Sequence, residues 1–308
     1  MNTLALKQLP MLIKREYWEH RTTFLYLPAV VTAVSVAVLI LGSALMQTGM
    51  VMVTINNHEN VRIHTETESS GSLLDLFGAR LVGLADSSFG HRERVLNDLY
   101  FGSSTILVST LWFVMFFYLL DCLYQDRKDR SVLFWKSLPI SDWMTVVSKL
   151  LTGLLVIPVV YLLFIVLSNV SMLLISSMVA LGQPIDIWDT LWAPAHLIPR
   201  WIDMIGYILF SSIWCLPFTG WLLLVSSWAK SAPLAWVVGV PFFFLLMEKI
   251  FSRDDSLWEF MSTHILARYT TDHGITGDLY SLEVVVALVI GVGFVTAAVW
   301  RRGHADEI

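Results

Sequence analysis

Residues Leu150–Met178 read LLTGLLVIPVVYLLFIVLSNVSMLLISSM and contain no Asp, Glu, Lys, Arg or His. About 20 apolar residues carry a helix across roughly 30 Å of hydrocarbon, so this run is expected to span a membrane. It is longer than a bilayer requires, and Pro158 within it is expected to kink the helix. Five further stretches pass the same test. They run from about Phe24 to Met46, from about Thr105 to Tyr124 with Asp121 near its end, and from about Met204 to Trp228 around Pro217. The last two run from about Ala232 to Met247, with Pro233 at its start and Pro241 inside, and from about Val284 to Trp300. No alternating barrel pattern is visible, and only helices otherwise satisfy the backbone in lipid. The fold class expected is an all-α polytopic membrane protein with six transmembrane helices, a single transmembrane domain over residues 1–308.

Composition agrees. Of the 308 residues 56% are apolar and 15% charged, with a mean hydropathy of +0.66, whereas soluble chains carry about 25% charged residues. That deficit excludes a cytosolic enzyme, a disordered tail or a coiled coil. A net charge of −5 offers no basic field for nucleic acid. Cys122 and Cys215 both sit in apolar runs and read as small buried hydrophobes. The 13 Trp and 9 Tyr suit a membrane-water boundary.

Lys and Arg placement sets the expected orientation. With the amino terminus in the cytosol, the inner segments hold 12 of these residues and the outer segments 8. Both termini are therefore expected on the cytosolic side. The apolar run after residue 23 exceeds the roughly 7–15 residues of a signal-peptide core and is expected to be retained. Before it, Leu6, Leu9, Ile13 and Tyr17 recur at helical spacing opposite Lys7, Lys14, Arg15, Glu19 and Arg21, the pattern of an amphipathic interfacial helix.

An extracytoplasmic insert is expected at about 47–99. Val51–Ile55 suits a strand, and Leu73, Leu74, Phe77, Leu81 and Leu84 carry helical periodicity. The insert suits either a cap on the bundle or a partner surface. Its His58, His64 and His91 lack metal-ligand spacing, so no metal site is expected. Gly182–Arg200 is expected to be an outer loop, with Trp188, Trp192 and Trp201 as interfacial anchors. Pro158, Pro217 and Pro241 suit kinks near a path through the membrane or plain structural bends, and Phe113, Phe116 and Phe117 suit a lateral path or a lipid-facing surface.

The most informative polar stretch is Leu123–Trp143, LYQDRKDRSVLFWKSLPISDW. Charges come first, then Val132, Leu133, Trp135 and Leu138 provide apolar positions on a short helix. Pro139 is expected to end that helix, and Ser141 to cap the next. A compact cytosolic helix tied at both ends to transmembrane helices makes a mechanical joint. A solvated loop that only enforces orientation is the other reading of the same residues.

DRSVLFWKSLPISD, followed by a downstream Lys, resembles the cytosolic loop of permease subunits in type-2 ATP-binding-cassette exporters, and KREYWE at residues 14–19 is similar to the elbow helix of that family. The resemblance implies a multi-pass permease of a bacterial inner membrane that pairs with a second copy, as a homodimer, and with two ATPase subunits. ATP and Mg would be bound by those partners, and this chain would carry no cofactor. The loop helix would be the coupling helix, contacting the ATPase through Arg130, Phe134, Trp135, Lys136, Leu138 and Pro139. The elbow helix would include Lys14, Arg15, Tyr17 and Trp18. The chain has no G-x-x-x-x-G-K-[ST] loop, so no ATP site of its own is expected.

Rival readings differ in what they require. An ion-coupled carrier ordinarily places ionisable groups within the bundle, whereas Asp121, Lys149, Asp203, Lys230, Glu248 and Glu283 all fall near the ends of the runs. An intramembrane hydrolase needs an activated nucleophile, and Ser103 and Ser104 have no intramembrane His beside them in sequence. A non-transporting anchor or assembly factor needs only hydrophobicity and stays open, as does the identity of any cargo.

Overall fold

A computed structural model describes residues 3–45, 73–129, 140–251, 256–265 and 282–304. All regular structure among them is helical. The helices are α1 (Thr3–Glu19), α2 (Leu27–Leu45), α3 (Leu73–Ala85), α4 (Phe89–Lys128), α5 (Asp142–Leu151), α6 (Ile157–Ala180), α7 (Leu197–Trp214), α8 (Leu216–Trp228), α9 (Pro233–Phe251), α10 (Ser256–Ile265) and α11 (Leu282–Gly303). Single π-turns at Thr22–Tyr26 and Thr152–Val156 lead into α2 and α6, and a third occupies Trp188–Trp192. Four helices are long and apolar enough to cross a membrane, or up to six if each of two bent pairs is one span. The bent pairs break between Glu19 and Thr22 and at Cys215.

Several boundaries differ from those expected. The run expected to be the second crossing and the last part of the expected insert form one helix, α4, of 40 residues, about 60 Å at 1.5 Å per residue and so twice the thickness of a bilayer's hydrocarbon. After Gly90 nothing in His91–Tyr100 breaks a helix, so the helix continues past the apolar run that marks the crossing. The periodic residues from Leu73 to Leu84 form α3, while the proposed strand Val51–Ile55 lies outside the described residues. Gly182–Arg200 is largely helical rather than an open loop. It contains the π-turn, one turn at Ala193–Ala195, and a left-handed His196 with φ of 42° just before α7.

The three prolines behave differently. Pro217 sits in the first turn of α8, where its missing N–H is harmless, and the paired helices bend there by 55°. Pro158 leaves Asp142–Ala180 as one span. Its ring nitrogen gives the Leu154 carbonyl no donor, and the Ser212 hydroxyl lies 3.0 Å from that oxygen and 2.8 Å from Ile208 O. Pro241 lies inside α9 without interrupting it.

The chain divides into two compact units. One comprises residues 25–110 and 161–201. Its core joins Phe77 and Leu81 of α3, Leu96 and Tyr100 of α4, and Met172, Leu173 and Ala180 of α6 with Leu191 and Ala195. Trp192 Nε1 donates to Ser177 Oγ at 3.0 Å and stacks on the exposed Trp188. The other unit comprises residues 1–24, 111–160 and 202–308. There α8 and α11 pack backbone to backbone at Gly220 and Gly291, where a Cβ on Gly220 would lie 2.9 Å from Gly291 O. Small residues permit such an approach between apolar helices, where lipid offers no hydrophobic drive to association.

Candidate functional site

Within this second unit the carboxyl ends of α4, α8 and α11 and the flank of α1 meet α5, at Asp142 in its first turn and Lys149 in its last, and charged side chains make the joins. Glu16 of α1 is 2% exposed and Lys149 of α5 equally so. Lys149 Nζ lies 3.1 Å from Glu16 Oε1 and 3.4 Å from Asp126 Oδ2 at the end of α4. Arg15 Nη2 is 2.7 Å from Glu16 Oε1, and Tyr118 OH donates to Glu16 Oε2 at 3.0 Å. In these contacts two carboxylates face two cations. That pairing matters because an ion taken out of water costs several kcal/mol unless it is paired and hydrogen-bonded. The ring of Tyr118 is in turn held edge-on by His20 and by the fully buried Phe24, at centroid distances of 5.2 and 5.4 Å.

A second join lies next to the first in sequence. Arg127 Nη2 donates to Ser226 O at 2.9 Å and to Ala229 O at 2.7 Å. These carbonyls close the carboxyl end of α8, where backbone acceptors lack intrahelical partners and the helix dipole favours a cation. Ser226 Oγ accepts from Leu123 N and Tyr124 N, each at 3.0 Å. On the far side, Arg302 of α11 pairs with Asp142, the first residue of α5. Ser141 caps α5 as expected, its hydroxyl accepting from Met144 N at 3.3 Å.

The segment between α4 and α5 is therefore held on both flanks: Asp126 and Arg127 before it, Asp142 and Lys149 after it. Arg130, Phe134, Trp135, Lys136, Leu138 and Pro139 lie outside the described residues. The elbow candidates are all on α1. Lys14 and Trp18 are exposed, Tyr17 is half-buried against Phe24, and Arg15 joins the charge cluster while reaching Glu19 at 3.5 Å.

The face that α1 buries is shifted from the one its apolar spacing suggests. Leu12 and Glu16 are buried, whereas Leu9, Ile13 and Tyr17 are half-buried. The carboxylate is drawn inward by Lys149, so a charged residue occupies the centre of the packed face. In the sequence Glu16 falls within KREYWE, Asp126 in the charged front of the loop and Lys149 at the end of an apolar run, and nothing there pairs them. The signal present was an acid at i+4 from Leu12 on an otherwise apolar stripe.

Cys122 and Cys215 are free and buried. Among the described residues no cluster of His, Cys, Asp and Glu is arranged to hold a metal. Phe113 and Phe117 are exposed, and Phe116 stacks on Phe218 at 6.0 Å. No protein-family model matches the chain, and no curated protein or solved structure matches it significantly.

Proposed function

We infer that this chain is the transmembrane subunit of an ATP-driven exporter of the type-2 ATP-binding-cassette kind, in a bacterial inner membrane. In this reading it crosses the membrane six times with both termini in the cytosol. It pairs with a second copy and is worked by two ATPase subunits that bind ATP and Mg. Residues 130–139 carry the coupling helix, with Trp135 as its apolar anchor, since desolvated aromatic residues often dominate interface energies. Arg130 and Lys136 supply steering and hydrogen bonds.

The observation that supports this reading is the pinning of both flanks of that segment. A push on a free loop would dissipate in the loop. Here the residues on either side are tied by buried charges to α1, to α8 and to α11, so a displacement at 130–139 would be passed to several helices at once. Buried, paired charges of this kind suit a rigid transmission.

The experiment is purification of the complex with its ATPase and a comparison with Trp135→Ala. The variant is expected to insert in the membrane normally while losing cargo-stimulated ATP hydrolysis and much of its ATPase co-purification. Unchanged co-purification together with unchanged stimulation would remove the basis of the reading and favour a non-transporting anchor.

A further inference from the structure

Between α8, α9, α10 and α11 lies a cavity of about 740 Å³, within the roughly 300–1,000 Å³ typical of small-molecule sites. All four elements belong to one compact unit. Five aromatic rings line it, those of Phe218, Trp221, Phe244, Phe260 and Phe294. Glu248, in the last turn of α9, is the only ionisable side chain among the described lining residues.

Glu248 is held in place from the adjoining helix. Its Oε1 accepts from Ser256 Oγ at 2.8 Å and from Leu257 N at 2.9 Å, which ties it to the first turn of α10. The wall is also braced: Trp221 packs against Phe294 with ring centroids 5.6 Å apart, and Phe218 is stacked from behind by Phe116. A positioned acid facing an aromatic wall is complementary to one kind of guest. Ring faces and a carboxylate both attract positive charge, while the rest of the lining rewards apolar bulk. An anion would meet only repulsion from Glu248, and a neutral chain would gain nothing from it.

We propose that this cavity is a binding site for a hydrophobic organic cation, an apolar body carrying one protonated nitrogen that is received at Glu248. The site is a property of this chain and stands apart from the exporter reading. Ordinary lipid hydrocarbon is the competing occupant, and the charge on Glu248 separates the two.

The test uses the full chain in lipid nanodiscs, with labelled dodecylammonium and dodecanol as probes and empty nanodiscs to measure partitioning into lipid. Saturable dodecylammonium binding at one site per chain is expected, with dodecanol weaker by roughly tenfold or more. Glu248→Gln keeps an acceptor for Ser256 and Leu257 but removes the charge. It is expected to weaken the amine by about tenfold and leave dodecanol unchanged. Ile290→Phe, which fills the cavity from α11, is expected to weaken both probes. Equal binding of amine and alcohol that ignores Glu248→Gln would overturn the proposal and make the cavity a slot for lipid chains. Amine uptake no greater than in empty nanodiscs would overturn it as well.

Discussion

Lys149 carries more of the structure than any other single charge described, because two helices reach it with carboxylates and neither carboxylate is exposed to solvent. Replacing it with Met keeps the length and removes the cation that both carboxylates share. A loss of about 3–5 kcal/mol is expected, read as a fall in unfolding midpoint in detergent. Lys149→Met with Glu16→Gln is expected to recover part of that loss, because the second change removes a stranded charge. Additive losses would mean that the two side chains do not interact. Ser212 gives a second test. Ser212→Ala removes the single hydroxyl proton that the Leu154 and Ile208 carbonyls share and is expected to cost about 1–3 kcal/mol. On a Pro158→Ala background, where the backbone supplies an N–H again, the same change is expected to cost less. Neither partnership was legible in the sequence. Glu16 and Lys149 are 133 positions apart, and no local pattern announces which acid will find which base. Ser141 was legible, because a cap is decided by residues within one turn of it.

At the scale of elements, apolar length located the long apolar helices, four or up to six of them able to span a membrane, because desolvation of the backbone acts on every residue of a run. It did not locate their breaks or extensions. α4 runs on through polar residues because nothing there opposes a helix, and the fourth run divides at Cys215 because Pro217 is placed to begin a helix. The pairing of α8 with α11 depends on Gly220, whose Cβ would press on a backbone oxygen that cannot turn aside. Gly220→Ala is expected to destabilise by about 1–3 kcal/mol. Gly239→Ala in α9 is the matched control. Nothing lies within 4 Å of the added methyl there, and the better helix propensity of Ala is expected to leave stability unchanged or raise it by about 0.5–1 kcal/mol. Thermal unfolding of the two variants side by side checks both, and equal loss at the two positions would show that the close approach is not what holds the pair.

At the scale of the molecule, the charged joins gather the ends of α4, α8 and α11 with the start of α5 and with α1. In the proposed six-crossing topology those ends would share one face, and the excess of Lys and Arg expected on it would place that face in the cytosol. In the proposed exporter the work is done by a partner and delivered at Trp135. A photoreactive benzoylphenylalanine in place of Trp135, activated in native membranes, measures this most directly. The expected result is an adduct between this chain and a subunit that hydrolyses ATP, formed from the cytosolic side. An adduct with lipid alone, or labelling of position 135 by a membrane-impermeant reagent applied to intact cells, would contradict it.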